Sequence, residues 1–231
     1  MSLFYAPEIP EGNYSLDPEE ARHAVKVLRL QKGESIHLTD GKGKIYDAII
    51  SNISKSSCDF LVNSTKEIPR RNYYIHIGIA PTKNIERIEW FVEKSTEIGI
   101  DEISFMQCQN SERKVINTER IQKKAISAMK QSGGAWLPKI NSMVPFDQII
   151  QSPTDSIKFL AHVDPSNIKY LKKAKPNGRY IVLIGPEGDF TDKEIKVAIR
   201  EGFQKVSLGR SVLRTETAGI AACHILNLIN E

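Results

Sequence analysis

Apolar and polar positions first fall into helical spacing at residues 17–28, DPEEARHAVKVL, where Ala21, Ala24, Val25 and Leu28 form one stripe. Asp17 is the expected N-cap, Pro18 the first helical residue and Glu20 the partner that completes a capping box. The opposite side carries Arg22, His23 and Lys26, with Arg29 just beyond. That side reads either as an ordinary solvated face or as a patch for RNA phosphate. Short alternating runs follow: ESIHLTD, the turn GKGK, IYDAIISNIS and KSSCDFLVNSTKEI. Strands of this length, joined by Gly, Asn and Ser turns, predict a small β-barrel. It ends near IPRRN, where a proline and two arginines mark a linker.

From Tyr73 onward the rhythm changes. YYIHIGIA, EISFMQC, IKFLAHV, RYIVLIG and KVSLG read as strands. Between and after them, helices are expected over residues 85–99, 118–132, 165–174, 191–201 and 216–230. Gly99 is the expected C-cap of the first of these, and a glycine pair ends the second. Strands alternating with helices predict a parallel α/β sheet covered on both faces.

Composition narrows the class. The chain has 231 residues, 40% hydrophobic and 26% charged, which fits one large or two small soluble domains. No run of 18 apolar residues occurs, so no membrane-spanning helix is expected, and MSLFYAPEIPEG lacks the pattern of a signal peptide. Three scattered cysteines, Cys58, Cys108 and Cys223, read as reduced and cytoplasmic. No Cys-x-x-Cys pair or histidine cluster is present, so no metal is expected. The net charge is +4, and the basic excess concentrates in residues 69–140. That is compatible with a polyanionic partner and equally with plain solubility.

Ligands of open α/β sheets bind beyond the carboxyl ends of the strands. Three such ends stand out here: LAHVDP, IGPEGDF and LGRSVLRTETAG. In the second, Gly185 and Gly188 let backbone approach a ligand, Pro186 stiffens the turn, and Asp189 or Thr191 caps the next helix. A tight turn without a ligand explains that loop alone equally well. The third end sets Arg210 and Arg214 around the apolar pair Val212–Leu213, which suits an anion or an electron-rich transition state beside the flat face of a base. No phosphate loop, dinucleotide fingerprint or nucleophile elbow is present. A cofactor held by backbone, with an adenosine and no phosphate, remains, and S-adenosyl-L-methionine fits.

With these residues in view, LIGPEGDFTDKEI and VSLGRSVLRTETAGIAA are similar to the paired C-terminal motifs of the small-subunit (16S) ribosomal RNA uridine-N3 methyltransferases of the SPOUT superfamily. RHAVKVLRLQKGE resembles the start of that family's N-terminal barrel. PTKNIERIEWFVEKSTEIGIDEI, NSER and KQSGGAWLPKI resemble its middle motifs, in the same order. The resemblance implies a PUA-like, RNA-binding β-barrel over residues 1–68 and an α/β SPOUT methyltransferase domain over 73–231 with a deep C-terminal trefoil knot. It further implies a homodimer acting on ribosomal RNA in the assembled small subunit, with S-adenosyl-L-methionine bound in the knot.

Carried onto this chain, the cofactor contacts implied by the resemblance are Leu160, Ala161 and His162; Ile184, Gly185, Pro186, Glu187 and Gly188; and Leu208, Gly209, Ser211, Val212 and Leu213. Arg214 and Glu216 are implied at the reacting end. Arg214 is expected to stabilise charge on the uracil carbonyls. Glu216 or Glu187 is expected to orient it or to accept the N3 proton, with helix capping as the alternative for Glu216. RNA phosphates are assigned to Arg22, His23, Lys26, Arg29, Arg70, Arg71, Arg120, Lys123, Lys124 and Lys130. Two departures stand out: the family usually has glycine where Asp189 stands and a basic residue near Gly134. The competing functions are a methyltransferase of the same superfamily acting on another RNA or atom, a non-catalytic RNA-binding or ribosome-assembly protein, and a nicotinamide-dependent oxidoreductase, which the missing fingerprint disfavours.

Overall fold

Asp17 accepts the backbone N–H groups of Glu19 and Glu20 at 2.8 and 2.9 Å, so helix α1, Pro18–Arg22, starts at the expected cap. The structure is a computed structural model that describes residues 3–54, 57–163 and 169–231. Glu20 does not complete the capping box. Its buried carboxylate turns to the Lys130 ammonium, and burial pushes its pKa up against the pull of that cation. The stripe also does not continue as one α-helix. His23–Val27 form a π-helical turn in which Leu28 N–H donates to His23 O at 3.0 Å. The extra residue in the turn leaves Ala24 fully buried, with Val25, Leu28 and Leu30 packed on the same core.

The chain divides into two compact units, residues 1–70 with 126–137 and residues 71–125 with 138–231. In the first, strand β1, Leu3–Tyr5, runs parallel to β2, Ser35–Thr39, and β3, Lys44–Ile53, and β4, Cys58–Glu67, follow antiparallel in the order β1-β2-β3-β4. Residues 14–16 return to the far edge, where Ser15 bridges Asp59 and Leu16 N–H donates to Cys58 O at 2.9 Å. One N-terminal stretch therefore pairs with both edges of the sheet, as a small barrel requires. Period-two alternation points Ile36, Leu38, Tyr46, Ala48, Ile50 and Phe60 into the core beside Phe4.

Residues 126–137 belong to this unit for a reason the sequence does not signal. Leu137 N–H donates to Gly41 O and Gly43 N–H to Ala135 O, both at 2.9 Å, and Trp136 Nε1 donates to Ile68 O at 3.0 Å. Gly43, at φ 106°, lies against the Trp136 ring where a Cβ would collide, and the Arg70 guanidinium stacks on that ring at 4.1 Å. GKGK and GGAW thus form one clip.

The second unit is a six-stranded, all-parallel sheet in the order β10-β8-β9-β5-β6-β7. Its strands are β5, Tyr74–Ile79; β6, Glu102–Gln107; β7, Lys139–Pro145; β8, Ile157–Ala161; β9, Arg179–Ile184; and β10, Gln204–Val206. Helices α2, Ile85–Ile98, and α6, Thr215–Leu228, pack together over one face. A Cβ on Gly219 of α6 would sit 2.6 Å from the Phe91 ring of α2 and 3.2 Å from Ile79. Helices α4, Phe146–Gln151, and α5, Asp192–Arg200, cover the other face through Phe146, Ile149, Ile150, Ile195 and Ala198. Helix α3, Thr118–Ser132, follows β6.

Sequence patterning missed β1, β7 and α4. β1 has three residues and α4 six, too few to show a period. β7 is an edge strand, KINSMVP, whose polar positions hide the alternation. The helix expected over 165–174 is not found where it can be described. Residues 164–168 lie outside the described residues, and of the rest only Leu171–Lys173 turn, as a 3-10 helix. Backbone pairing takes the helix's place: Tyr170 bridges Ser207, Leu171 N–H donates to Ser207 O, and Ser207 N–H donates to Lys169 O.

Candidate functional site

The strand order reverses between β5 and β9, and beyond the carboxyl ends of β8, β9 and β10 lies a cavity of about 590 Å³. Three segments line it. Ala161 ends β8 and His162 and Val163 follow it, Ile184 ends β9 and residues 185–187 with Asp189 follow it, and residues 207–214 follow β10. Tyr170, Arg87, Thr215 and Ala218 complete the wall. These segments converge here because each loop leaves a parallel strand at the same edge of the sheet.

Most of the residues singled out by sequence meet in this cavity. Leu160 and Gly188 do not line it: Leu160 is buried in the core below, and Gly188 packs on Asn110, where a Cβ would come within 3.2 Å. Glu216 does not line it either. Glu216 is 5% exposed and its carboxylate lies 3.9 Å from Arg87 Nε; among the described residues Oε2 has no hydrogen-bond partner. It makes no cap, since α6 starts from Arg214 without a side-chain cap. Arg210 and Arg214 both line the cavity. Arg87 and Tyr170 were missed by sequence reasoning. Arg87 sits in the first turns of an ordinary amphipathic helix, and only the approach of α6 brings it to the site.

The loops are braced from neighbouring elements. Thr215 Oγ1 donates to Gly185 O at 3.0 Å, and Lys83 N–H donates to Glu187 Oε1 at 3.0 Å. NSER supplies the rest. Asn110 Nδ2 donates to the carbonyls of Gly188 and Asp189, Ser111 Oγ accepts Cys108 N–H, Glu112 pairs with Lys83, and Arg113 donates to Thr82 O and Lys83 O. Downstream, Thr191 caps α5 in a full capping box with Glu194. The motif therefore holds the glycine loop against the β5–α2 connection. It does not reach into the cavity.

Chemistry is limited by what faces the space. The walls offer backbone, apolar Ile184, Val212 and Leu213, the cations Arg87, Arg210 and Arg214, and the polar side chains of His162, Tyr170, Glu187 and Asp189. A smaller cavity of about 380 Å³ touches Cys108, where burial pushes the thiol above its usual range, so it is not a nucleophile near neutrality. Among the described residues no cluster of His, Cys, Asp and Glu could hold a metal, and no helix is long and apolar enough to cross a membrane.

The residues assigned to RNA divide into two groups. In the first unit, Arg22, His23 and Lys26 are exposed on α1 and its π-turn and Arg29 just beyond them, Arg70 stacks on Trp136, and Lys130 holds Glu20. In the second, Arg71 is tied to Asp101 at 2.8 Å, Asn227 at 2.6 Å and Gly99 O at 2.9 Å. Arg120 pairs with Glu89 and Lys124 with Glu93, and Lys123 is exposed.

Comparison with known proteins agrees with this architecture. Residues 69–227 match the family described as RNA methyltransferase domain, and residues 16–63 that described as RNA methyltransferase PUA domain. The ribosomal RNA small subunit methyltransferase E of Synechocystis sp. is 29% identical over 99% of this chain and 78% of its own length. A crystal structure of a probable rRNA-methyltransferase from Porphyromonas gingivalis is 42% identical, with a TM-score of 0.92 over 100% of this chain and 98% of that one. The ribosomal RNA small subunit methyltransferase E of Neisseria gonorrhoeae, solved bound to S-adenosyl methionine, is 28% identical, with a TM-score of 0.86 over 100% and 98%. The paired domains and their order place this chain in the RNA methyltransferase family to which the ribosomal RNA small subunit methyltransferases E belong.

Proposed function

We propose that this protein is an S-adenosyl-L-methionine-dependent methyltransferase that methylates N3 of a uridine in small-subunit ribosomal RNA. The observation that carries this is the cavity itself. It is large enough for one adenosine-containing cofactor, walled by backbone and apolar side chains from three strand ends, and it has no phosphate loop. The residues present suit the cofactor: Ile184, Val212 and Leu213 offer apolar faces to a base, and the loop carbonyls and N–H groups offer polar partners to its edge.

When bound, the cofactor supplies a methyl group activated on a sulfonium sulfur. The chain's own contribution is positioning, which is worth on the order of 7–11 kcal/mol in such reactions. Arg214, at the start of α6 and facing the cavity, donates to the uracil oxygens as N3 gives its proton to solvent water. Glu216, buried against Arg87, acts on orientation, and Glu187, whose carboxylate is engaged by Lys83 N–H, stays at the rim. The barrel of the first unit grips RNA phosphate through Arg22, Lys26 and Arg29. The same reading includes a homodimer and a deep trefoil knot formed by the segment carrying β9, β10 and α6. The exposed Val163 and Val212 at the cavity rim, 56% and 78% exposed, are apolar surface that a second chain would cover.

The decisive experiment incubates the protein with labelled S-adenosyl-L-methionine and unmodified small ribosomal subunits, then maps the methylated nucleoside. N3-methyluridine in the small-subunit RNA is the expected product. Label at another atom or in transfer RNA would move the assignment within the superfamily, and absence of label with tight RNA binding would leave a binding protein.

A further inference from the structure

Asp189 has φ 56°, in the left-handed region that costs any residue but glycine. The turn it occupies does not depend on its carboxylate. Asp189 N–H donates to Pro186 O at 2.9 Å, and Asn110 Nδ2 donates to Gly188 O and Asp189 O at 3.0 and 3.1 Å. A glycine would satisfy the same backbone with less strain. What glycine could not supply is the side chain: Oδ1 accepts Phe190 N–H at 2.7 Å, and Oδ2 lies 2.9 Å from His162 Nδ1. His162 follows β8, and its own N–H donates to Val206 O at 3.2 Å. The pair therefore joins two of the three strand ends that wall the cavity, and both residues line it.

A carboxylate only accepts, so the proton of a neutral imidazole in this contact sits on Nδ1. Nε2 then carries the lone pair, and among the described residues no group hydrogen-bonds it. Left-handed backbone at a residue whose side chain joins two loop ends of a cavity points to a function for that side chain.

We propose that Asp189 is a positioning residue that holds His162 in the Nδ1–H tautomer, so that Nε2 accepts a hydrogen bond from the adenosine of the cofactor. The donor is a ribose hydroxyl or the adenine amino group. The inference rests on the reading that S-adenosyl-L-methionine occupies the cavity, and adds to it the atom that reads the adenosine. The clasp also preorganises the cavity by tying the β8 end to the β9–α5 loop, which reduces what binding must order.

The test compares the parent with Asp189→Gly and Asp189→Asn. Glycine is compatible with the turn, and asparagine tolerates it and can still accept from Nδ1–H, so both variants are expected to fold; thermal melts check this. Nitrogen-15 NMR of His162 should show the Nδ1–H tautomer in the parent and in Asp189→Asn, and a shift toward Nε2–H in Asp189→Gly. Calorimetry should find S-adenosyl-L-methionine bound about ten-fold more weakly by Asp189→Gly, the effect of about one neutral hydrogen bond, with most of the affinity restored in Asp189→Asn. S-adenosylhomocysteine analogues lacking a ribose hydroxyl, or dimethylated at the adenine amino group, identify the donor. The analogue without it loses about ten-fold on the parent and nothing further on Asp189→Gly. Unchanged affinity or an unchanged tautomer in a folded Asp189→Gly overturns the proposal. A parent that binds no S-adenosyl-L-methionine overturns the cofactor reading and this inference together, which the variants alone cannot do.

Discussion

Thr215 Oγ1 donates to the carbonyl of Gly185 at 3.0 Å, so the first residue of α6 is fastened to the glycine loop that follows β9. Thr215 is buried, at 6% exposure. Thr215→Val keeps the shape and leaves the carbonyl without that donor, at a cost of about 1–3 kcal/mol. Thermal unfolding should report a melting temperature lower by roughly 2–4 °C per kcal/mol in a chain of this size. Cofactor affinity should fall alongside, because the joint lies in the cavity wall. A variant with parental affinity would show that the two loops hold their places independently.

Arg214→Ala removes a guanidinium at the cavity without touching the β9–α5 loop. Turnover is expected to fall by about two to three orders of magnitude, the scale of losing a transition-state donor, while cofactor affinity stays within a few-fold. Calorimetry and single-turnover methylation separate the two. Collapse of cofactor affinity would make Arg214 a binding residue.

Gly219→Ala tests the packing of α2 on α6. The added methyl would sit 2.6 Å from the Phe91 ring, and overpacking of this kind costs roughly 1–3 kcal/mol. Denaturant unfolding should show a lower midpoint with an unchanged slope. Gly219→Ala as stable as the parent would mean that Phe91 has room to turn aside.

Glu102 sits in a polar network at the amino ends of β5, β6 and β7. Tyr74 Oη, Lys139 Nζ and Asn141 Nδ2 donate to it at 2.9, 3.0 and 2.6 Å. Burial alone would raise its pKa, but the nearby His76 and these donors outweigh burial and bring it down from 4.5 to about 2. A carboxyl with a lowered folded-state pKa stabilises the fold fully above about 4.5, and that contribution is lost as pH falls toward about 2. Glu102→Gln should lower stability near neutrality and flatten its decline between pH 4.5 and 2 in denaturant titrations. Parallel curves for parent and variant would remove the network as the cause.

RNA binding is expected to weaken steeply with salt, with a log–log slope of roughly −0.7 to −0.9 per phosphate contacted. Exchanging Arg22, Lys26 or Arg29 for Ala should each shallow that slope by about one contact in filter-binding or fluorescence titrations. Arg71→Ala should act differently. Its guanidinium is bound to Asp101, Asn227 and Gly99, so the loss should appear chiefly as lower stability. A slope indifferent to the first three would move the RNA surface elsewhere.

What could be read from the sequence alone followed from local rules. Asp17, Thr191 and Gly99 announced helix ends because capping is settled within a few residues, and Ile75, Ile77 and Ile79 announced a buried strand through their spacing. Two arginines and a glycine turn at strand ends pointed to one cavity because parallel strands deliver their loops to the same edge. Tertiary structure alone decided the rest. It turned Glu20 from a cap into the partner of Lys130 and moved Glu216 from the cavity into contact with Arg87. It paired Tyr170 with Ser207 where a helix was expected, clipped Trp136 onto Gly43, and brought Asp189 to His162. Each of these depends on groups far apart in the chain. Their energies exist only once the sheet order has set which loops meet, and a one-dimensional pattern carries no record of that meeting.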